Sequence, residues 1–206
     1  MEYSEKELEA IFNSDVPNPV QQAIIRCTFN AYATAFDEVK HFPTEEARDL
    51  RGYYRWIQLR YEMRGLGDRF PGVTAAAEDY HTLISSRRIR LIASSASDPK
   101  SRPRQAMYKL DYANKSLNLY DPLPSPPSHE DYFFTIMVHG VDRREPRQPS
   151  FAKILFVTKA MQIWHEFDLF ARHMDLVKSL WLPLSTTDQN GMPDVRLRKL
   201  DEEQSQ

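Results

Sequence analysis

The chain has a single cysteine, Cys27, among its 206 residues. One thiol excludes an internal disulfide framework and any thiolate-based zinc or iron–sulfur site within one chain, so a reducing cytoplasm is the expected compartment. Long apolar runs are missing as well. No stretch approaches the roughly 18 residues a membrane span needs, and no membrane association is expected. The start, Met1 to Glu7, is acidic and polar, without the basic and apolar regions of a signal peptide. Charge of one sign is also lacking. With 27 basic against 29 acidic side chains, the balance supplies no global attraction to nucleic acid or to an anionic surface, so any such attraction must come from a local patch.

Catalytic signatures are absent in the same way. Gly65-Leu66-Gly67 lacks the downstream glycine and the strand-before-helix setting of a dinucleotide fingerprint, His-Glu-x-x-His does not occur, and no nucleophile elbow is present. Cys27 sits on an apolar helix face and is expected to be buried and inert. No cofactor is implied. Fixed-period repeats are missing too, which removes solenoid architectures.

What is present is a chain with 41% apolar residues, enough to bury one sizeable core. The expected fold class is α+β: about four N-terminal helices packed with a mainly antiparallel β-sheet, then a short C-terminal helix and a polar tail. Residues 1–183 are read as one domain, helical over 1–85 and β-rich over 86–183, with residues 184–206 too polar to offset the entropy of ordering.

Ser4 and Glu7 have capping-box spacing ahead of Leu8, Ile11 and Phe12. Asn18-Pro19 reads as an N-cap followed by proline at the first helical position, before a helix whose face is Val20, Ile24, Cys27, Ala31, Ala35 and Val39. Thr44 is expected to cap a third helix, with Leu50, Tyr54, Ile57 and Tyr61 as its apolar stripe and Arg48, Arg51 and Arg55 on the opposite, solvated side. An alanine-rich fourth helix is expected from Thr74 to about Ser85.

After Ser86 the period changes to two. Ile89, Leu91 and Ala93 alternate with Arg88 and Arg90 as a strand, and Ala106, Tyr108, Leu110 and Tyr112 are expected to form a hairpin with Leu117-Asn118-Leu119. Pro122, Pro124, Pro126 and Pro127 stiffen the connection to the strongest strand candidates, Tyr132 to Val141 and Phe151 to Val157, which are expected to pair antiparallel. The segment after Ala160 suits either a strand or a helix; the reading adopted is a strand to about Phe170 and a short helix to Trp181.

Arg87, Arg88, Arg90, Lys100, Arg102, Arg104 and Lys109 lie near one another in sequence with Asp98 as the only acid between them, and Arg143, Arg144 and Arg147 form a second basic loop. On one face, Arg87, Arg88, Arg90, Lys100, Arg102, Arg104, Arg143, Arg144 and Arg147 would neutralise phosphates, with Tyr108 near enough for base stacking. The bland alternative is a solvated face paired with acidic helices. The leading expectation is therefore a cytoplasmic binding or regulatory protein that contacts an anionic partner such as nucleic acid.

Two alternatives stand beside it. One is a metal-dependent hydrolase or nuclease, whose imidazoles and carboxylates would come from the His129, His139-to-Asp142 and His165-to-Asp168 clusters, although the spacing defines no metal site. The other is a protein–protein interaction subunit, working as a homo-oligomer or with a protein partner.

Overall fold

The computed structural model describes residues 3–78, 80–117, 131–142 and 145–181. Helix α1 (Glu5–Asp15) begins at the expected capping box: Ser4 Oγ accepts from the Glu7 amide at 3.3 Å, and the Ser4 amide donates to Glu7 Oε2 at 2.7 Å. Helix α2 (Asn18–Val39) buries every residue of its expected face and much of the rest of its circumference, so it forms the centre of the helical layer. Asn18 does not cap it. The N-cap is Pro17, and neither α2 nor α3 (Thr44–Arg64), which Pro43 rather than Thr44 precedes as N-cap, has a side-chain capping bond. A single turn, α4 (Leu66–Arg69), leads to the sheet.

Among the described residues the sheet has six strands in sequence order. They are β1 (Val73–Ala77), β2 (Thr82–Ser86), β3 (Ile89–Ser95), β4 (Phe133–Gly140), β5 (Phe151–Val157) and β6 (Ile163–Asp168). All neighbouring pairs are antiparallel except β3 with β4, which run parallel with Ala93 opposite Met137 and Ser95 opposite His139.

Two expectations fail here, for related reasons. The alanine-rich stretch is not a helix but the β1–β2 hairpin. Thr82, Ile84 and Ser86 are buried in strict alternation, and pairing with β3 outweighs a helical propensity of a few tenths of a kcal/mol per residue. The sheet therefore starts at Val73 and not after Ser86. Met107–Lys115 is a helix, α5, and not a hairpin strand. Parallel strands cannot be joined by a tight turn, so the β3-to-β4 connection must cross over, and a helix is its usual content. Tyr108 with Tyr112 and Lys109 with Ala113 are spaced four apart, which serves a helix as well as the two-residue alternation serves a strand.

The crossover also explains the layers. α1, α2 and α3 cover one face of the sheet, where Leu8, Phe12 and Ile24 join Ile84, Leu91, Phe133, Met137 and Phe156 in one core. α5 covers the other face, over Ile92, Phe134, Ile136, Val138 and Leu155. With both faces covered, all eight residues of β4 are buried, which is why its sequence reads as a continuous apolar run. The pairing of β4 with β5 and the strand after Ala160 stand as expected. That strand ends in two short helices, α6 (Leu169–Arg172) and α7 (Met174–Leu180), with Asp168 Oδ1 accepting from the Phe170 and Ala171 amides. The proline cluster and the polar tail lie outside the described residues.

Candidate functional site

Helix α3 packs the opposite way from its expected orientation. Its inward line is Ala47, Arg51, Arg55, Leu59 and Met63, each four residues from the next, and the supposed apolar face looks outward. Leu59 and Met63 join the core. One and two turns earlier the same line carries guanidinium groups. Arg51 lies over the Phe36 ring of α2 at 5.8 Å, and Arg55 over the Tyr32 ring at 4.8 Å, so planar cations cover the aromatic rings where apolar side chains would otherwise close the seam.

A partly enclosed cavity of about 120 Å³ occupies that seam. α3 lines it with Gly52, Arg55, Trp56, Leu59, Arg60 and Met63. Its floor is the sheet, with Ala93 and Ser95 at the end of β3 and His139 near the end of β4, while Tyr32 closes one side and His81 and Thr82 the other. The parallel register puts Ser95 beside His139. Gly140 allows the chain to close over this end of β4, since a Cβ there would lie 2.4 Å from the Ala96 carbonyl oxygen and 2.5 Å from the Phe151 ring. The helix is tied to the β1–β2 turn through Trp56 Nε1, which donates to the Tyr80 carbonyl at 2.8 Å, and Arg60 Nη2, which donates to that of Glu78 at 2.6 Å.

The electrostatics are one-sided. Among the described residues no aspartate or glutamate lines the cavity, and none of the ion pairs involves Arg51, Arg55 or Arg60. Arg55 Nε and Arg60 Nε are buried without a hydrogen-bond partner. Burial pulls the Arg55 guanidinium below its ordinary value, the Arg51 charge pushes the same way and Tyr32 opposes them, yet an arginine stays charged throughout the working range of pH.

At the cavity floor, Tyr32 Oη and His139 Nδ1 share a hydrogen bond of 3.0 Å. Burial drives His139 down to about 4, helped by the Arg55 charge, and burial drives the Tyr32 phenol up to about 12. Both groups are neutral at pH 7, so the pair can donate and accept hydrogen bonds but is poorly matched to proton transfer at that pH. His81 stacks on Tyr108 with ring centroids 4.3 Å apart, and its Nε2 lies 3.3 Å from the Tyr112 hydroxyl.

The structure divides the basic residues singled out in the sequence. Arg88 makes a two-pronged ion pair with the buried Asp15, at 3.0 and 2.9 Å, and its amide donates to the same carboxylate at 3.0 Å. Its role is to join the end of α1 to the β2–β3 turn, where Arg87 stands exposed with φ 44°. Arg90 lies half-buried across the Tyr132 ring at 5.1 Å, and Arg147 pairs with Asp37 at 3.1 Å. Lys100, Arg102 and Arg104 are exposed on the loop before α5. Lys109 is buried, donating to Ser94 Oγ at 2.8 Å and to the Arg104 carbonyl at 2.7 Å. Arg143 and Arg144 lie outside the described residues, as does His129.

The histidine–carboxylate clusters do not converge. His139 goes to Tyr32, His165 Nε2 lies 3.0 Å from Glu9, and Asp168 caps α6. Among the described residues no three His, Cys, Asp or Glu side chains gather where they would hold a metal ion. Cys27 is buried and its thiol is pushed up by burial.

Tyr32, Arg55 and His139 were not grouped by sequence reading, although a signal for α3 existed. Ala47, Leu59 and Met63 form a second apolar line that competes with the Leu50 to Tyr61 stripe, and Gly52 is a helix-interior glycine without an obvious structural purpose. Among the described residues no helix is long and apolar enough to cross a membrane. Set against family models, curated proteins and solved structures, the chain matches none of them.

Proposed function

We propose that the chain is a binding protein whose ligand is a small anion with an apolar body, held between α3 and the ends of β3 and β4. One observation carries the reading: Arg55 stands in a cavity wall to which none of the described residues contributes a carboxylate. A partly buried cation with no counter-ion is costly, and an anionic ligand would supply the missing charge and hydrogen bonds. Tyr32 and His139 offer a neutral hydrogen-bonding pair beside it, while Trp56, Leu59 and Met63 offer apolar contact. Polar groups converging on a concavity with apolar walls are the usual composition of a ligand site.

The cavity size narrows the class. At about 120 Å³ it approaches the ~150 Å³ of an apolar cavity that accepts benzene. The cavity is open on one side, so a single ring or a short branched chain bearing a carboxylate or phosphate enters it with part of its body in the mouth, and a nucleic-acid strand does not enter. This reading keeps the expected anionic partner but moves it from the basic β surface to an enclosed pocket. The buried, unpaired Cys27 supports a reducing compartment.

Titration calorimetry with benzoate, phenyl phosphate, inorganic phosphate and the neutral benzyl alcohol tests the proposal. Benzoate or phenyl phosphate is expected to bind at least tenfold more tightly than the alcohol, and Arg55→Met to remove that difference while leaving alcohol binding unchanged. Equal binding of charged and neutral probes, or an anion preference that survives Arg55→Met, would sink the idea. A second reading rests on the exposure of Lys100, Arg102 and Arg104 on one loop, a surface for a phosphate backbone. It predicts affinity for generic RNA or DNA that falls steeply with salt and is indifferent to Arg55.

A further inference from the structure

The reversed packing of α3 leaves an apolar stripe in solvent. Tyr53 is 58% exposed, Ile57 36% and Tyr61 71%, with Leu50 and Tyr54 half-exposed beside them. These residues lie within about 60° of Ile57 around the helix, on the side opposite Leu59 and Met63. Single exposed apolar residues are ordinary, but a continuous strip along a 21-residue helix marks a contact surface.

The order of residues along the strip indicates what covers it. Ile57 is central, with tyrosines one turn away on each side at 53 and 61. The same meridian begins with acids, Glu46 and the flanking Asp49, and ends with a base, Arg64. Such a face complements its own reverse. If two copies of α3 lie antiparallel with a two-fold axis at Ile57, Ile57 meets its counterpart and Tyr53 meets the second copy's residue at 61. At about 1.5 Å of rise per residue, Arg64 lies ~10.5 Å from the axis and Asp49 ~12 Å, so the base of one copy comes level with the acid of the other.

Within one chain these charges are little used. Arg64 has no ion pair among the described residues, and Asp49 makes only a 3.5 Å contact with its exposed neighbour Arg48. We infer that the outward face of α3 is an isologous dimer interface, in which the helix packs antiparallel against α3 of a second copy of this chain about Ile57. A parallel pairing would set acid against acid and base against base. One helix pair covers less than the roughly 1,200–2,000 Å² of a stable complex, so the dimer is weak, with dissociation in the micromolar range.

Sedimentation equilibrium of the full chain between about 1 and 500 μM tests this. The mass is expected to rise with concentration from the 24.1 kDa monomer toward twice that value. Ile57→Asp is expected to weaken association at least tenfold with an unchanged unfolding midpoint in dilute solution. Arg64→Glu is expected to weaken it as well, and Arg64→Glu combined with Asp49→Lys to restore it, because each reversed charge then meets its opposite across the axis.

A monomer at every concentration would overturn the inference. If Ile57→Asp then also lowered the unfolding midpoint, the face would belong to a segment of the same chain. A dimer indifferent to Ile57→Asp would place the interface elsewhere. One that Ile57→Asp breaks but the double charge reversal fails to restore would overturn the antiparallel register.

Discussion

Acidification from pH 7 to pH 4 is expected to weaken the fold through His139 in particular. In the unfolded chain its imidazole takes up a proton near 6.5, whereas in the fold it does so only near about 4, because burial removes the charged form from water and the Arg55 charge repels it. Between these values the unfolded state binds more protons, so stability falls as pH falls; the contribution is fully present above 6.5 and is lost as pH drops toward 4. That interval corresponds to about 3 kcal/mol. Carboxylates titrate in the same range, so the comparison is with His139→Gln, which cannot take up the proton. Urea unfolding of both proteins at half-unit steps from pH 7.5 to 4 measures the difference. The natural chain should lose about 3 kcal/mol more than the variant, and its His139 ring should remain neutral by NMR at pH 5. Parallel stability curves, or an imidazole titrating near 6.5, would refute the argument that His139 is sealed beneath Tyr32 and Arg55.

Gly52→Ala is expected to stabilise the protein by about 1 kcal/mol, since alanine is the better helix former and a Cβ there meets nothing within 4 Å; in a chain of this size the unfolding midpoint should rise by roughly 2–4 °C with an unchanged denaturant m-value. A loss of stability would mean that the cavity mouth is more tightly filled than the structure shows. Arg88→Met should destabilise by about 3 kcal/mol, because Asp15 is fully buried and would be left without its counter-ion. Adding Asp15→Asn should recover part of the loss, with a coupling of at least ~1 kcal/mol in chemical denaturation, and simple additivity would contradict the bidentate pair.

The candidate site was only partly legible in the chain because its members belong to three separate elements. Tyr32 is one of several side chains on α2, His139 looks like the polar end of an apolar strand, and Arg55 carries the usual signature of a solvated helix face. Their meeting depends on which way α3 rolls, and on α3 two apolar lines compete. The roll that buries Ala47, Leu59 and Met63 also brings Arg51 and Arg55 over aromatic rings, an arrangement that hydrophobic periodicity scores as unfavourable although stacking of guanidinium on aromatic faces supports it. Arg88 shows the converse. Its place in a basic run suggested a surface role, and only the approach of Asp15 from the end of α1 makes it a structural cation.

By itself the sequence determined the class of the fold, the capping box of α1, the buried face of α2 and the pairing of β4 with β5, because each depends on interactions close along the chain or on a period that nothing else in the segment contradicts. Tertiary structure decided the β1–β2 hairpin, the α5 crossover and the orientation of α3. In those segments the local preferences were weak or evenly matched, and the deciding free energy came from distant partners: strand β3 for the hairpin, the open face of β4 for α5, and the rings of Phe36 and Tyr32 for Arg51 and Arg55, the second of which lines the cavity.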